Sequence, residues 1–395
     1  MQQLSVGVVA TSRKPDERRL PIHPAHLERI DADLRGRIFV ERGYGERFGV
    51  SDDRLAAQVG GLRSREELIE DCDVVILAKP LADDLRAMPH GKILWGWPHC
   101  VQDEVITQLA IDRRLTILAW EAMNHWTSDG NFGLHVFHKN NELAGYCSVL
   151  HALQLIGTTG AYGRRLRAAV ISFGATARGA VTALFALGVH DVTVLTHRSV
   201  SAVASPMAPA RLVHYERDPE HPGRTLALNS AGRGSVAEFL AQHDIVVNCI
   251  LQDTDEPLMF VTADELELFT PGSLFVDVSC DEGMGFEWAR PTSFAEPMFI
   301  VGPDVSYYAV DHSPSHLWNS ATWEISEGLI PFLATVMSGR DAWDADQTIS
   351  RAIEIRDGVV QNPRILSFQH RSATFPHASE APSSNVTRAA GEASE

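Results

Sequence analysis

Cysteine is scarce: only Cys72, Cys100, Cys147, Cys249 and Cys280 occur in 395 residues. Their number is odd and their spacing scattered, so neither a disulfide framework nor a zinc site is indicated. No metal is expected, and reduced thiols in a cytoplasmic setting fit. Long apolar runs are missing as well, since none approaches the roughly 18 residues of a spanning helix. The first ten residues read as a short strand, not as a charged segment followed by a long apolar one, so neither export nor membrane embedding is expected. Positive charge is also in deficit. With 34 Lys and Arg against 51 Asp and Glu, the formal charge is -17, and such a surface repels nucleic acid phosphates and anionic lipid heads. No internal repeat is evident.

What is present points to an α/β protein. The chain is 45% hydrophobic and too long for one ordinary core, which predicts two domains with a cleft where small molecules bind. Short β-branched runs at 4–10, 37–41, 73–79, 92–97 and 115–120 alternate with helical patterns at 25–29 and 103–112, the signature of a parallel sheet of about five strands. A longer helical stretch at 142–156 connects to a second series of strands at 168–172, 192–196, 245–249 and 274–278, separated by helix-sized gaps. After it, Leu317, Ala321, Ile325 and Leu329 recur every fourth residue, predicting a helix capped by Ser313 with Pro314 in its first turn that returns to the first domain. The expected division is a substrate domain over 1–140, a dinucleotide-binding domain over 141–311, returning helices over 312–366 and a disordered tail over 367–395. The expected fold is two Rossmann-like domains with parallel sheets and an interdomain cleft.

The segment from Val170 to Ala180 reads as strand, tight turn and helix start, which presents backbone N–H groups and a helix N-terminus to a pyrophosphate. Against G-x-G-x-x-G/A, Ser172 takes the first place, Gly174 the second and Ala177 the third, with Ala175 and Thr176 between and Gly179 two residues further on. The next strand ends in Thr196-His197-Arg198-Ser199. Asp or Glu at that point would read the ribose hydroxyls of NAD(H), whereas an arginine and a small hydroxyl suit a 2′-phosphate, so NADP(H) is the expected cofactor and NAD(H) the alternative.

Three basic residues stand at or just past strand ends: Arg19 in Glu17-Arg18-Arg19-Leu20-Pro21, Lys79 in Ala78-Lys79-Pro80, and His99 in Trp97-Pro98-His99-Cys100. Arginine can grip a carboxylate with two hydrogen bonds, lysine can polarise a carbonyl, and histidine shuttles protons near neutral pH. Together they describe a site for a 2-oxo acid or amino acid. Arg18 and Arg19 are neighbours on an extended segment and point to opposite sides, so only one is counted as a substrate ligand. The competing reading of Arg19 is a surface pair with Glu17.

These segments also resemble, in order and spacing, the substrate domain of the alanine dehydrogenase and saccharopine dehydrogenase superfamily. Val276-Asp277-Val278-Ser279-Cys280-Asp281 with Gly285-Phe286-Glu287 and Arg290-Pro291-Thr292 looks like the alanine dehydrogenase segment that closes the dinucleotide domain. Val247-Asn248-Cys249-Ile250 and Val310-Asp311-His312-Ser313-Pro314-Ser315 look like saccharopine dehydrogenase. Glu41-Arg42-Gly43-Tyr44-Gly45, Gly96-Trp97-Pro98-His99, and Lys139-Asn140 with Ala144-Gly145-Tyr146 resemble the bacterial N5-(carboxyethyl)ornithine synthases most. By position, the resemblance implies that Arg19, with Lys79, binds the oxo acid, that Lys79 and His99 perform acid/base work, and that Asp281 lies beside the nicotinamide. It further implies that Asn248, Cys249, Ile250 and Leu251, and Asp311, His312 and Ser313, border the cofactor. Pro80 follows Lys79 where alanine dehydrogenases have glutamate.

The expected activity is therefore reductive condensation of an amino acid's amine with a 2-oxo acid, of the opine type, at the expense of NADPH. A homo-oligomer acting on small molecules is expected, without nucleic acid or membrane partners. An alanine dehydrogenase using ammonia is the nearest alternative, and a catalytically silent dinucleotide sensor of the same fold is the alternative from another class.

Overall fold

The computed structural model describes residues 3–197, 210–221, 224–229, 232–253 and 256–379. Two large sheets organise them. The first has eight strands, in spatial order Val359–Val360, Ile353–Arg356, Thr116–Ala119, Ile93–Gly96, Val74–Leu77, Val6–Val8, Ile38–Glu41 and Gly61–Arg63. The last six run parallel. Read in chain order from the Gly61–Arg63 edge, they follow the 3-2-1-4-5-6 arrangement of a doubly wound sheet. The second sheet has nine strands. Its parallel centre, Arg211–Arg217, Asp191–Thr196, Arg167–Ile171, Ile245–Asn248, Leu274–Asp277 and Val305–Tyr308, repeats that order. Both α/β domains with a parallel sheet each are thus present.

The central strands are apolar on both faces, as in Val74–Leu77, Thr116–Ala119 and Ile245–Asn248, where every residue is buried. Such runs suit sheets covered on both sides. One face of the first sheet packs on Ile325, Leu329, Leu333 and Val336 of the helix Trp318–Ser338, and the other on Ile106, Ala110 and Ile111 of the helix Glu104–Asp112. Each fully buried aliphatic side chain of this kind stabilises the fold by about 1.5 to 3 kcal/mol.

Several elements differ from the sequence reading. The gap after Thr196 holds an antiparallel extension, Thr225–Asn229 and Gly232–Ser235, beside Arg211–Arg217. The hairpin Asn124–Trp126 and Phe132–His135 was not anticipated, nor were Gly61–Arg63, Met298–Val301 and the returning strands Ile353–Arg356 and Val359–Val360. Most are short or half-polar; Met298–Val301 is apolar throughout but only four residues long. Ser313 does not cap the long helix: a 3-10 turn, Ser313–Leu317, precedes it, and the Ser313 hydroxyl donates to Ala144 O at 3.1 Å. The expectation of a disordered tail from 367 is corrected over 367–379. Gln369, Arg371 and His377 are buried there, and buried polar anchors escape a reading based on apolar periodicity. No described helix is long and apolar enough to cross a membrane.

The linking helix His138–Leu155 crosses the helix Ala175–Ala186 at close range. A Cβ on Gly145 would stand 1.9 Å from Thr176 O, and one on Gly179 1.7 Å from Glu142 O. Gly179, out of step with the phosphate fingerprint, is therefore required for helix contact.

Candidate active site

The carboxyl ends of adjacent strands in the first sheet deliver the charged residues. Lys79 follows Val74–Leu77, His99 follows Ile93–Gly96, Glu121 follows Thr116–Ala119, and the loop after Val6–Val8 bears Lys14, Glu17 and Arg19. Glu41 fastens that loop: its carboxylate accepts the N–H of Ala10 at 2.7 Å and of Thr11 at 2.8 Å, with the Thr11 hydroxyl at 2.7 Å. Asp84 adds ion pairs to Arg65 at 2.6 Å and Arg13 at 2.8 Å. These contacts make the loop a fixed part of the sheet edge.

Lys79 Nζ lies 2.6 Å from His99 Nε2. An ammonium can only donate, so His99 Nε2 accepts and its own proton sits on Nδ1. Burial, then Lys14 and Arg19, bring the Lys79 ammonium down to about 8, against the pull of Asp311 and Glu17. Burial and the Lys79 charge hold His99 well below the usual histidine range. His99 keeps 44% of its side-chain surface open, so solvent reaches one side of the ring while packed protein and cations surround the rest. The pair together holds one shared proton near neutral pH. Glu121 Oε1 accepts the His99 backbone N–H at 2.7 Å and lies 3.9 Å from Nδ1. Burial and the nearby Glu354 push Glu121 up to about 8.

Arg19 does pair with Glu17, but not at the surface. Its Nε and Nη2 meet the two Glu17 oxygens at 2.8 and 2.5 Å, and both side chains are almost wholly buried. Burial alone would raise the Glu17 carboxyl, yet the Arg19 charge and hydrogen bonds from Arg19 and Ser315 hold it at about 2. Arg19 Nη1 reaches Asn140 Oδ1 at 3.3 Å, and the guanidinium lies 5.1 Å from the Trp97 ring centroid. With Nε and Nη2 on Glu17 and Nη1 on Asn140, one N–H on each terminal nitrogen lies outside these contacts.

The second sheet presents a different edge. Ser172 has φ 90°, and the helix Ala175–Ala186 starts at Gly174 with no side chain capping its N–H groups. A Cβ on Gly174 would meet nothing nearer than Ser172 Oγ at 4.0 Å. An open turn against uncapped N–H groups fits a dinucleotide pyrophosphate. Deeper in, Asp277 ties strand ends together, accepting from Asn248 Nδ2 at 3.0 Å, Tyr307 OH at 2.7 Å, and the N–H of Ser279 and Cys280, each at 3.2 Å. Burial raises Asp277 to about 6 despite these donors. Asn248 is thus engaged within the sheet, with Cys249 and Ile250 buried beside it, whereas Leu251 is 91% exposed. Burial also raises the half-buried Asp281 to about 6.

The two edges meet at 311–315. Asp311 forms an ion pair with Lys14 of the first domain, and His312 sets Nδ1 2.6 Å from Asp311 and Nε2 3.0 Å from Pro15 O. Although burial opposes it, the His312 contact and Lys14 hold the Asp311 carboxyl far below its usual range. The Ser315 hydroxyl donates to Glu17 at 2.7 Å. Asp311, His312 and Ser313 therefore join the domains. Arg198 and Ser199 lie outside the described residues. Among those described, no cluster of three or more His, Cys, Asp or Glu is placed to hold a metal.

Lys14 and Glu121 were missed by the sequence reading, and Glu17 entered it only as a surface partner of Arg19, whereas the pair is buried. Glu121 could have been found by extending the strand-end rule one strand further. Lys14 gives no local signal, since its partner is 297 residues away.

Comparison with known proteins places this geometry. The family described as Alanine dehydrogenase/PNT matches through its N-terminal domain over residues 7–144 and its C-terminal domain over 159–363. An alanine dehydrogenase of Mycobacterium tuberculosis (strain ATCC 25618 / H37Rv) is 23% identical over 92% of this chain and 96% of its own. An N(5)-(carboxyethyl)ornithine synthase of Clostridium botulinum (strain Hall / ATCC 3502 / NCTC 13319 / Type A) is 23% identical over 79% of this chain and 89% of its own. An L-alanine dehydrogenase structure superposes with a TM-score of 0.73 at 19% identity, covering 92% of this chain and 99% of that one. A transhydrogenase from Sinorhizobium meliloti superposes at 0.68 with 20% identity, covering 91% and 99%. The chain belongs to the alanine dehydrogenase/PNT family of nicotinamide-dinucleotide oxidoreductases.

Proposed function

We propose that the protein is an NADP(H)-favouring oxidoreductase acting on a CH–NH bond, which joins the amine of an amino acid to a 2-oxo acid. The observation that carries the reading is the 2.6 Å contact between Lys79 Nζ and His99 Nε2. A lysine brought to about 8 beside a neutral imidazole can release and recover a proton at physiological pH, as general acid/base catalysis requires.

In the synthetic direction the amine nitrogen attacks the carbonyl carbon, forming the C–N bond. One nitrogen proton passes to the former carbonyl oxygen to give a carbinolamine, and Lys79, with His99 as relay, protonates its hydroxyl, which departs as water and leaves a protonated imine. A reduced nicotinamide dinucleotide held at the turn of the second sheet would supply hydride to the imine carbon. Arg19 orients the oxo acid carboxylate through the N–H groups that Glu17 and Asn140 do not occupy. Ser172, Gly174, Ala175, Thr176 and Ala177 would hold the pyrophosphate, with Asp281 on the nicotinamide side. The ion pair of Lys14 with Asp311 supports closure of the cleft against water. The reverse reaction, oxidative cleavage of a secondary amine, uses the same groups.

One exposed guanidinium favours an amino acid as amine donor: Arg47, whose Nη1 donates to Arg18 O at 3.3 Å, whereas Arg18 itself pairs with Asp16 at 3.7 Å. Arg47 leaves positive charge beside the Arg19 loop for a second carboxylate. Ammonia is the competing amine, a reading favoured by the several relatives named alanine dehydrogenase. Nicotinamide absorbance, followed with pyruvate or 2-oxoglutarate plus ammonia and then plus ornithine or lysine, separates them. NADPH oxidation that depends on ornithine or lysine is expected. Equal rates with ammonia alone would establish the other reading, and no oxidation with any pair would leave a dinucleotide-binding sensor. The NADP(H) preference rests on Arg198 and Ser199. Higher kcat/KM with NADPH, shifted toward NADH by Arg198→Asp, is expected, and equal use of both would refute it.

A further inference from the structure

The loop that bears His99 is braced from behind by a segment outside the cleft. His99 itself has φ 52°, and its carbonyl accepts the N–H groups of Gln102 at 3.1 Å and Asp103 at 2.9 Å. This tight turn directs the next two carbonyls inward, away from the sheet ladder, and buried carbonyls need donors. Gln369, 3% exposed, supplies them: its Nε2 donates to Cys100 O at 2.7 Å and to Val101 O at 3.1 Å. Thr107 Oγ1 adds a bond to Cys100 O at 2.7 Å.

Gln369 is in turn held by a chain of buried polar contacts. Its Oε1 accepts Arg371 Nε at 2.6 Å, and Arg371 Nη1 donates to Gln108 Oε1 at 2.7 Å and His377 O at 3.2 Å. His377, 1% exposed, accepts the N–H of Val360 at 3.1 Å through Nε2. That strand, Val359–Val360, is the edge of the first sheet. Arg371 makes no direct ion pair among the described residues; its hydrogen bonds go to neutral acceptors, and the Glu104 and Asp112 charges favour its charged form from further away.

We infer that Gln369, held by Arg371 and His377, is a remote positioning residue for His99: the C-terminal segment 369–379 sets the loop from which the ring meets Lys79. The inference rests on the proposed acid/base role of His99. A purely stabilising anchor could attach anywhere on the domain, whereas this one places both donors on the two residues that follow His99. A displacement of the ring by about 1 Å is enough to cost up to a hundredfold in rate.

The test uses the full chain. Gln369→Met keeps the volume but removes both donors, and Gln369→Glu keeps the bond from Arg371 but cannot donate, which covers failure of the first variant to fold. Hydrogen exchange read by mass spectrometry should rise at least severalfold in a 97–108 peptide and stay unchanged in a 170–180 peptide. With NADPH, pyruvate and the amine that supports turnover, kcat should fall about tenfold while the NADPH dissociation constant stays within twofold. In the background of His99→Gln, the same Gln369 change should cost little further, because a residue acting through another loses its effect when that one is gone. Unchanged exchange and turnover, or losses that simply add to that of His99→Gln, would overturn the positioning role. Faster exchange in 97–108 together with full turnover by His99→Gln would instead overturn the acid/base reading on which the inference stands.

Discussion

Two sheets with the same 3-2-1-4-5-6 parallel order end in unlike chemistry. The carboxyl edge of the first is charged: Lys14, Glu17, Arg19, Lys79, His99 and Glu121 crowd it, joined in pairs. The edge of the second is nearly neutral at its turn, with Ser172, Gly174 and an uncapped helix. The strand order creates a crevice in both cases, but the residues just past the strands decide its use. Backbone N–H groups suit a pyrophosphate, which every dinucleotide carries, whereas moving protons on a substrate needs side chains with shifted pKa values.

The sharpest way to break this contrast is to remove chemistry from one edge only. His99→Gln should lower turnover by roughly a hundredfold or more with NADPH binding nearly intact, since general acid/base catalysis contributes about that much. Stopped-flow turnover and fluorescence titration of NADPH check it, and weakened binding with undiminished turnover of bound substrate would reverse the assignment. Gly174→Asp attacks the other edge. The backbone there, φ -79° and ψ -171°, accepts any residue, and an aspartate caps a helix well. Thermal stability should hold or rise slightly, while a carboxylate facing phosphate should weaken NADPH binding by roughly 2 to 3 kcal/mol, or about fiftyfold. Undiminished affinity by calorimetry would remove the pyrophosphate from this turn.

Arg19→Ala should raise the apparent KM for the oxo acid at least tenfold, the loss of one partner of a buried charged contact costing about 2 to 5 kcal/mol. It also leaves Glu17 buried without its cation, so Arg19→Ala should be less stable in denaturant by about 3 to 5 kcal/mol. Glu17→Gln in the same chain should restore much of the stability but little of the KM. Recovery of both would mean that Arg19 serves only Glu17.

The pH dependence follows from Lys79, lowered to about 8. Below that value the ammonium is present, and above it the proton is lost. Reductive turnover should therefore fall about tenfold per pH unit above pH 8, while the oxidative direction, which needs the free base, should rise toward a plateau there. Opposite limbs in the two directions are the diagnostic result, and profiles flat between pH 7 and 9 would exclude Lys79. The smallest effect is expected at the domain junction. Lys14→Met removes the partner of Asp311 and should raise KM for the oxo acid by about twofold to fivefold, because partly exposed ion pairs contribute about 1 kcal/mol or less.

Much of this site was legible without coordinates. Lys79 and His99 sit where strands end, and strand ends are visible as apolar runs that stop. The phosphate turn was visible through Gly174, but Gly179 was ambiguous until the helix His138–Leu155 was seen crossing it. Glu121 and Lys14 were passed over because a charged residue in a loop carries no periodicity that marks it as turned inward. The segment 369–379 was taken for a disordered tail for the same reason.

Composition and the spacing of apolar runs by themselves determined that this chain builds two parallel sheets, and that basic residues gather at the end of one and a glycine turn at the end of the other. These are local properties, set by propensity and by which faces must be buried. Tertiary structure alone decided which charges meet. The Lys14 pair with Asp311 spans 297 residues and the Gln369 bond to Cys100 spans 269. Contacts at that separation depend on how the domains and the returning chain close together. No local pattern encodes them, because a hydrogen bond depends on distance in space and direction and not on distance along the chain.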